Sequence, residues 1–172
     1  MKKIIIIVFW LTYFLFNPSL IDGQNYFDHV QEKEENGRVL VLTHPTVHNL
    51  KTFVNLIEKD LVSLPDYKVV GVFYEKGRYD FTETETFLDT ASQLPIDISL
   101  HSIEETLSKN ALFTNNSLSD DFQKIFKHSE GILFFGGPDL PPVTYQEKTH
   151  LLTSIYDPYR HYFELSFLFH LL

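Results

Sequence analysis

The sequence predicts an α/β fold, a mostly parallel β-sheet with helices on both faces. Residues 38–43 (RVLVLT) and 68–74 (KVVGVFY) are short β-branched runs whose continuous hydrophobicity suits strands buried on both faces. Between them Leu50, Phe53, Val54, Ile57 and Leu61 recur at three- and four-residue spacing, the stripe of an amphipathic helix. Strands and helices alternating across short Pro/Gly joins make βαβ units, hence a parallel sheet.

The first 23 residues are a separate object. Lys2 and Lys3 precede an almost wholly apolar stretch, residues 4–16, followed by Asn17, Pro18 and small or polar residues. This is the layout of a secretory signal, with cleavage expected near Gly23. The stretch is shorter than the roughly 20 residues that span a bilayer. The mature chain is therefore expected to be exported, periplasmic or extracellular, with no stable membrane anchor; retention of residues 4–16 as a tether is the alternative. No cysteine is present to carry a lipid or form a disulfide. Residues 24–37 (QNYFDHVQEKEENG) read as a polar, acidic lead-in to the folded domain.

After the first strand and helix, residues 64–66 (LPD) mark a stop, and 68–74 form the second strand. Residues 82–91 (TETETFLDTA) read as a helix start or as a solvated loop, and 96–100 (IDISL) as a third strand. Ser102, and Ser117 or Ser119, stand ahead of acidic and periodic apolar residues (IEETL, DDFQKIF), which predicts short serine-capped helices at both places. Gly131 opens another strand. Asp157 and Pro158 start the last helix, since proline at the first helical position loses no hydrogen bond.

Composition excludes several functions. With 44% hydrophobic and 15% aromatic residues, the 172-residue chain can build one core. A formal charge of -9 without a Lys/Arg cluster argues against nucleic acid as a partner. His44 and His48 are four apart, but Pro45 between them opposes a shared helix, so no metal site is predicted. His44, at a strand end, is a candidate pocket residue. Ser117, Ser119, Ser154 and Ser166 lack the GxSxG context of a serine nucleophile. The Asn115–Ser117 glycosylation pattern reads as a turn and helix cap.

Residues 131–147 (GILFFGGPDLPPVTYQE) carry the main functional signal. Ligands of parallel sheets gather beyond the carboxyl ends of the strands, where Gly136 and Gly137 fall. Glycine can take positive φ and lets another atom approach its amide, so the pair can present N–H groups to an oxyanion. The plainer reading is a tight turn stiffened by Pro138, Pro141 and Pro142. Neither GxGxxG nor GK[ST] is present to suggest a phosphate cradle.

The segment GGPDLPPVTYQE followed by DPYRHYFE resembles class I glutamine amidotransferase-like hydrolases, especially the gamma-glutamyl-gamma-aminobutyrate hydrolase (peptidase C26-like) group. Their Gly-Gly-x-Asp-x-x-Pro-x-x-Tyr-Gly-Glu motif is matched by Gly136, Gly137, Asp139, Pro142, Tyr145 and Glu147, and their following helix by Asp157, Arg160 and Glu164. Gln146 departs from the family's usual glycine, and His161 from its common aspartate.

The resemblance implies a flavodoxin-like sheet. It also implies a cysteine that attacks a γ-glutamyl amide, activated by a His–Glu pair, with no metal or organic cofactor. On this basis Gly136 and Gly137 would supply the oxyanion hole, and Asp139, Tyr145, Glu147, Arg160 and Glu164 would support the loop and pocket. The family's nucleophile, His and Glu all follow the helix that starts here at Asp157, and this chain has no cysteine. Residues 38–172 are thus expected to be a truncated domain lacking its C-terminal strands and inactive alone, with a small γ-glutamyl substrate bound by the full-length parent. An incomplete sheet also predicts an exposed strand edge and apolar helix face. The alternative is a secreted non-catalytic α/β module whose glycine loop grips a small anion.

Overall fold

The computed structural model describes residues 25–29, 38–91 and 93–172. The signal-like residues 1–23 lie outside the described residues, as does most of the lead-in. The elements in order are α1 (Tyr26–His29), β1 (Arg38–Thr43), α2 (Val47–Glu58), β2 (Tyr67–Tyr74), α3 (Thr82–Thr90), β3 (Ile98–Ile103), α4 (Ser119–Lys127), β4 (Gly131–Leu133) and α5 (Pro158–Leu171), with short 3₁₀ turns at Lys109–Ala111 and Pro142–Tyr145.

The four strands form one sheet in the order β3-β2-β1-β4, and every pair is parallel. The chain runs outward from β1 to β2 and β3, then crosses back to place β4 on the other side of β1. This order puts the topological switch point between β1 and β4, where α/β sheets bind ligands. The architecture is α/β and consistent with a partial flavodoxin-like sheet. Among the described residues, no helix is long and apolar enough to cross a membrane.

Alternation along the strands sorts the core onto two faces. Val39, Val41, Val70, Val72, Tyr74 and Ile103 pack with Phe122 and Ile125 of α4 and Phe163 and Phe167 of α5. Leu42 and Val69 pack on the other face with Leu50 and Phe53 of α2. Full burial of each such side chain contributes about 1.5–3 kcal/mol. Gly71 is required on this second face, because a Cβ there would lie 2.7 Å from the Pro45 Cβ and 2.9 Å from the Leu100 Cδ2. At the amino ends of the strands, Glu130 accepts from Arg38 Nε at 2.8 Å and from the Tyr67 hydroxyl at 3.0 Å.

Three local expectations need correction, and one with two alternatives is decided. The lead-in is not simply polar, because α1 buries Phe27 completely in the larger core cluster. Residues 82–90, left open between loop and helix, form α3 and bury Thr84. The third strand begins at Ile98 and continues to Ile103, so no helix is capped by Ser102. Pairing with β2 out to Tyr74↔Ile103 outweighs the local capping pattern there, and the Ser102 hydroxyl instead donates to Asn25 Oδ1. Ser119 is the first residue of α4 rather than its cap, and the Asn116 side chain accepts from the Leu118 amide.

Candidate functional site

The carboxyl edge beside β1 and β4 is organised by α5. Asp157 caps that helix, its Oδ1 accepting from the amides of Tyr159 (3.0 Å) and Arg160 (3.2 Å). Its Oδ2 accepts from the Arg78 amide at 2.8 Å, so one carboxylate, only 5% exposed, fastens the β2–α3 loop to the helix start. The cap also aims Arg160 back over the sheet.

Arg160 lies behind the glycine loop. Its Nη2 donates to the Phe135 carbonyl at 2.7 Å and, at the long limit of 3.5 Å, to the Gly136 carbonyl. Its Nε donates to Glu164 Oε1 at 3.1 Å, and the same oxygen accepts from the Thr43 hydroxyl at 3.1 Å. The end of β1, the end of β4 and α5 are therefore tied through one guanidinium. Burial pushes the Glu164 carboxyl above its usual range, against the opposing pull of Arg160 and Thr43.

The glycine pair is used differently from expectation. No glycine among the described residues has positive φ, so backbone freedom is not what Gly136 and Gly137 supply. A Cβ on Gly137 would stand 2.6 Å from Arg160 Nη1, so glycine is needed there for close approach of the guanidinium; at Gly136 a Cβ would meet nothing within 4 Å. Both residues are exposed. Among the described residues neither glycine amide has a hydrogen-bond acceptor, and Arg160 Nη1 has none either.

A cavity of about 10 Å³, room for about one water, lies between His44, Asp157, Arg160 and Glu164. A more open groove of about 380 Å³ adjoins it, walled by Phe73, Arg78, Tyr79, Asp80 and Phe81. His44 lines the cavity, as its strand-end position suggested. Its φ of 50° is left-handed, and its carbonyl is held by the Thr46 amide and the Asn49 side chain, both at 2.8 Å. Its ring packs edge-on against Tyr79 and Phe81. Burial first, and then the Arg160 charge, bring its pKa down to about 4. His48 is exposed, and among the described residues no cluster suited to a metal ion occurs.

The remaining predicted residues divide. Asp139 makes a reciprocal pair with Ser154, its amide donating to the Ser154 carbonyl (3.0 Å) and its Oδ2 accepting from the Ser154 amide (2.9 Å). It closes the long loop before α5. Tyr145, 55% exposed, and Glu147 stay on the surface, and no side-chain hydrogen bond joins either to the Arg160 cluster. His161 is 3% exposed with both ring nitrogens unpartnered, and burial, then Arg160, lowers its pKa.

Gln146, where the resembling family carries glycine, has φ 64° and ψ 24°, a left-handed conformation. Gln146→Gly is therefore expected to raise stability by about 0.5 kcal/mol, and Gln146→Val to lower it by about 1–2 kcal/mol. Urea midpoints of the two variants, moving in opposite directions, check this.

One pairing escaped the sequence. Ser119 Oγ lies 2.8 Å from His170 Nε2, and His170 Nδ1 lies 2.7 Å from the Ser166 carbonyl. The carbonyl requires the proton on Nδ1, so Nε2 accepts from the serine hydroxyl. Ser119 is buried and also accepts from the Asn116 amide at 2.8 Å, which makes the contact a latch between α4 and α5 rather than an exposed nucleophile.

Comparison with family models, curated proteins and solved structures gives no match for this chain.

Proposed function

We propose that the carboxyl edge at Gly136, Gly137 and Arg160 binds the oxygen of a small carboxylate or amide, as the oxyanion-binding part of a class I glutamine amidotransferase-like hydrolase acting on γ-glutamyl amides. The observation that carries this is the pair of exposed glycine amides without acceptors, held from behind by a guanidinium whose Nη1 is also unpartnered. Amides fixed in this way stabilise developing negative charge without reorganising. The motif shared between Gly136 and Glu164 supports the choice of reaction class.

The sequence contains no cysteine, so this chain supplies no thiolate. Its own contribution is binding and orientation, and hydrolysis requires a nucleophile from elsewhere. The same count favours, for this chain by itself, the reading of a non-catalytic anion-binding module. Lys2, Lys3 and the apolar residues 4–16 support a location outside the cytoplasm.

The test uses γ-glutamyl p-nitroanilide and sodium acetate as probes. Titration should shift the backbone amide resonances of Gly136 and Gly137 without releasing p-nitroaniline. Gly137→Ala, whose Cβ would displace Arg160, is expected to weaken binding at least about tenfold, or 1.4 kcal/mol. Resonances unmoved at millimolar probe, or equal binding by the alanine variant, would remove the reading.

A further inference from the structure

The outer edge of β3 is not left open. Asn25 bridges His101 in the antiparallel sense, and its side-chain oxygen accepts from the Ser102 hydroxyl at 3.1 Å. One turn of helix then drives Phe27 into the core, where its ring stands edge-on to the His101 imidazole with centroids 5.1 Å apart. Asp28 reaches across to Lys124 of α4 at 2.6 Å. This short segment thus straps the sheet edge to the neighbouring helix. His101 lies beneath it, buried, with Nδ1 unpartnered.

We propose that residues 25–29 form an acid-released strap, closed over β3 while His101 is neutral and opened when His101 takes up a proton. An imidazolium in the closed state has no acceptor for its Nδ1 proton. The charged groups that face it are Asp28 on the strap and Lys124 on α4, and these are already paired with each other; the Asp28 charge, after burial, helps to raise the Asp121 carboxyl of α4. From β2 the register places only Val72 opposite. Burial, ahead of the attraction of Asp28 and the repulsion of Lys124, brings the His101 pKa from 6.5 to about 4.

Opening restores water to the ring, so the open state binds the proton more tightly than the closed one. The strap is tightest above pH 6.5 and loosens as the pH falls toward 4. Between pH 7 and pH 5 the opening constant grows by about 20-fold. Release uncovers the β3 edge, a row of unpaired backbone groups able to accept another strand.

Hydrogen exchange of the full-length chain, followed by mass spectrometry on the peptide covering residues 25–29 and normalised to intrinsic rates, tests the strap. Protection should fall by about 20-fold from pH 7 to pH 5 in the wild type and by less than about twofold in His101→Gln. Unchanged protection in the wild type, or the same fall in both proteins, overturns the proposal. Should the variant not fold, the His101 ring resonance of the wild type decides. It is expected to stay untitrated down to pH 5, and a midpoint near 6.5 with the strap still protected overturns the proposal.

Discussion

Asp157→Ala is expected to destabilise the protein by about 2 kcal/mol, from a lost helix cap worth about 1–2 kcal/mol and a part-buried amide left without its acceptor. The three amides that depend on this carboxylate are those of Arg78, Tyr159 and Arg160. Its loss also frees the groove wall and the helix turn that aims Arg160, so binding of γ-glutamyl p-nitroanilide should weaken together with stability. Asp157→Asn retains one acceptor oxygen and should lose about half as much. Urea unfolding measures both variants. A loss below about 1 kcal/mol in the alanine variant would show that other groups hold this corner.

Acidification from pH 7 to pH 4 is expected to cost several kcal/mol, because His44 and His101 are both held near pKa 4 in the folded protein. In the unfolded chain each takes up a proton near 6.5, so the unfolded state binds more protons throughout this window. Stability is therefore full above about pH 6.5 and falls as the pH drops toward 4, by about 2–3 kcal/mol for each histidine. His161 acts in the same direction. Glu164 acts in the opposite one: its raised carboxyl pKa favours the folded state at low pH, and that contribution is lost as the pH rises through its folded pKa. Urea midpoints at pH 7, 6 and 5 should decline progressively, with about half of the decline removed in His101→Gln. A midpoint constant from pH 7 to pH 5 would contradict the burial of these rings.

Much of the frame is legible because its signals are local. The run at residues 38–43 coincides with β1, and the second strand begins one residue before its β-branched run. The Asp-Pro start of α5 appears with Asp157 as the capping residue. Signals fail where a distant partner decides. Ser102 has the surroundings of a cap, yet β2 recruits it into a strand. Phe27 and its neighbour Tyr26 are two aromatic residues in an otherwise polar segment, and no periodic apolar pattern there announces that the core reaches them.

The site shows the same division. Gly136, Gly137, Arg160 and Glu164 come together as the motif suggests, while Asp139 turns to Ser154, and Tyr145 and Glu147 remain at the surface. The Gly-Gly pair after a strand suggested both positive φ and close approach of another atom; φ is not used, and Gly137 is needed for space, because the demand comes from a side chain on another element. His44 illustrates the limit from the other side: its place at a strand end is visible, whereas the burial of its ring, which lowers its pKa, depends on Arg160 of α5 and on Tyr79 and Phe81 of the β2–α3 loop.

β1, one of the two interior strands, is the first of the four to be translated. Its clamp to Glu130 spans 92 positions, and its tie from Thr43 to Glu164 spans 121. A nascent chain can pair β1 with β2 early, but the other edge of β1 waits for β4 at residues 131–133, and long-range parallel pairing of this kind forms slowly. The delay leaves that edge of β1 open for longer to a holdase chaperone.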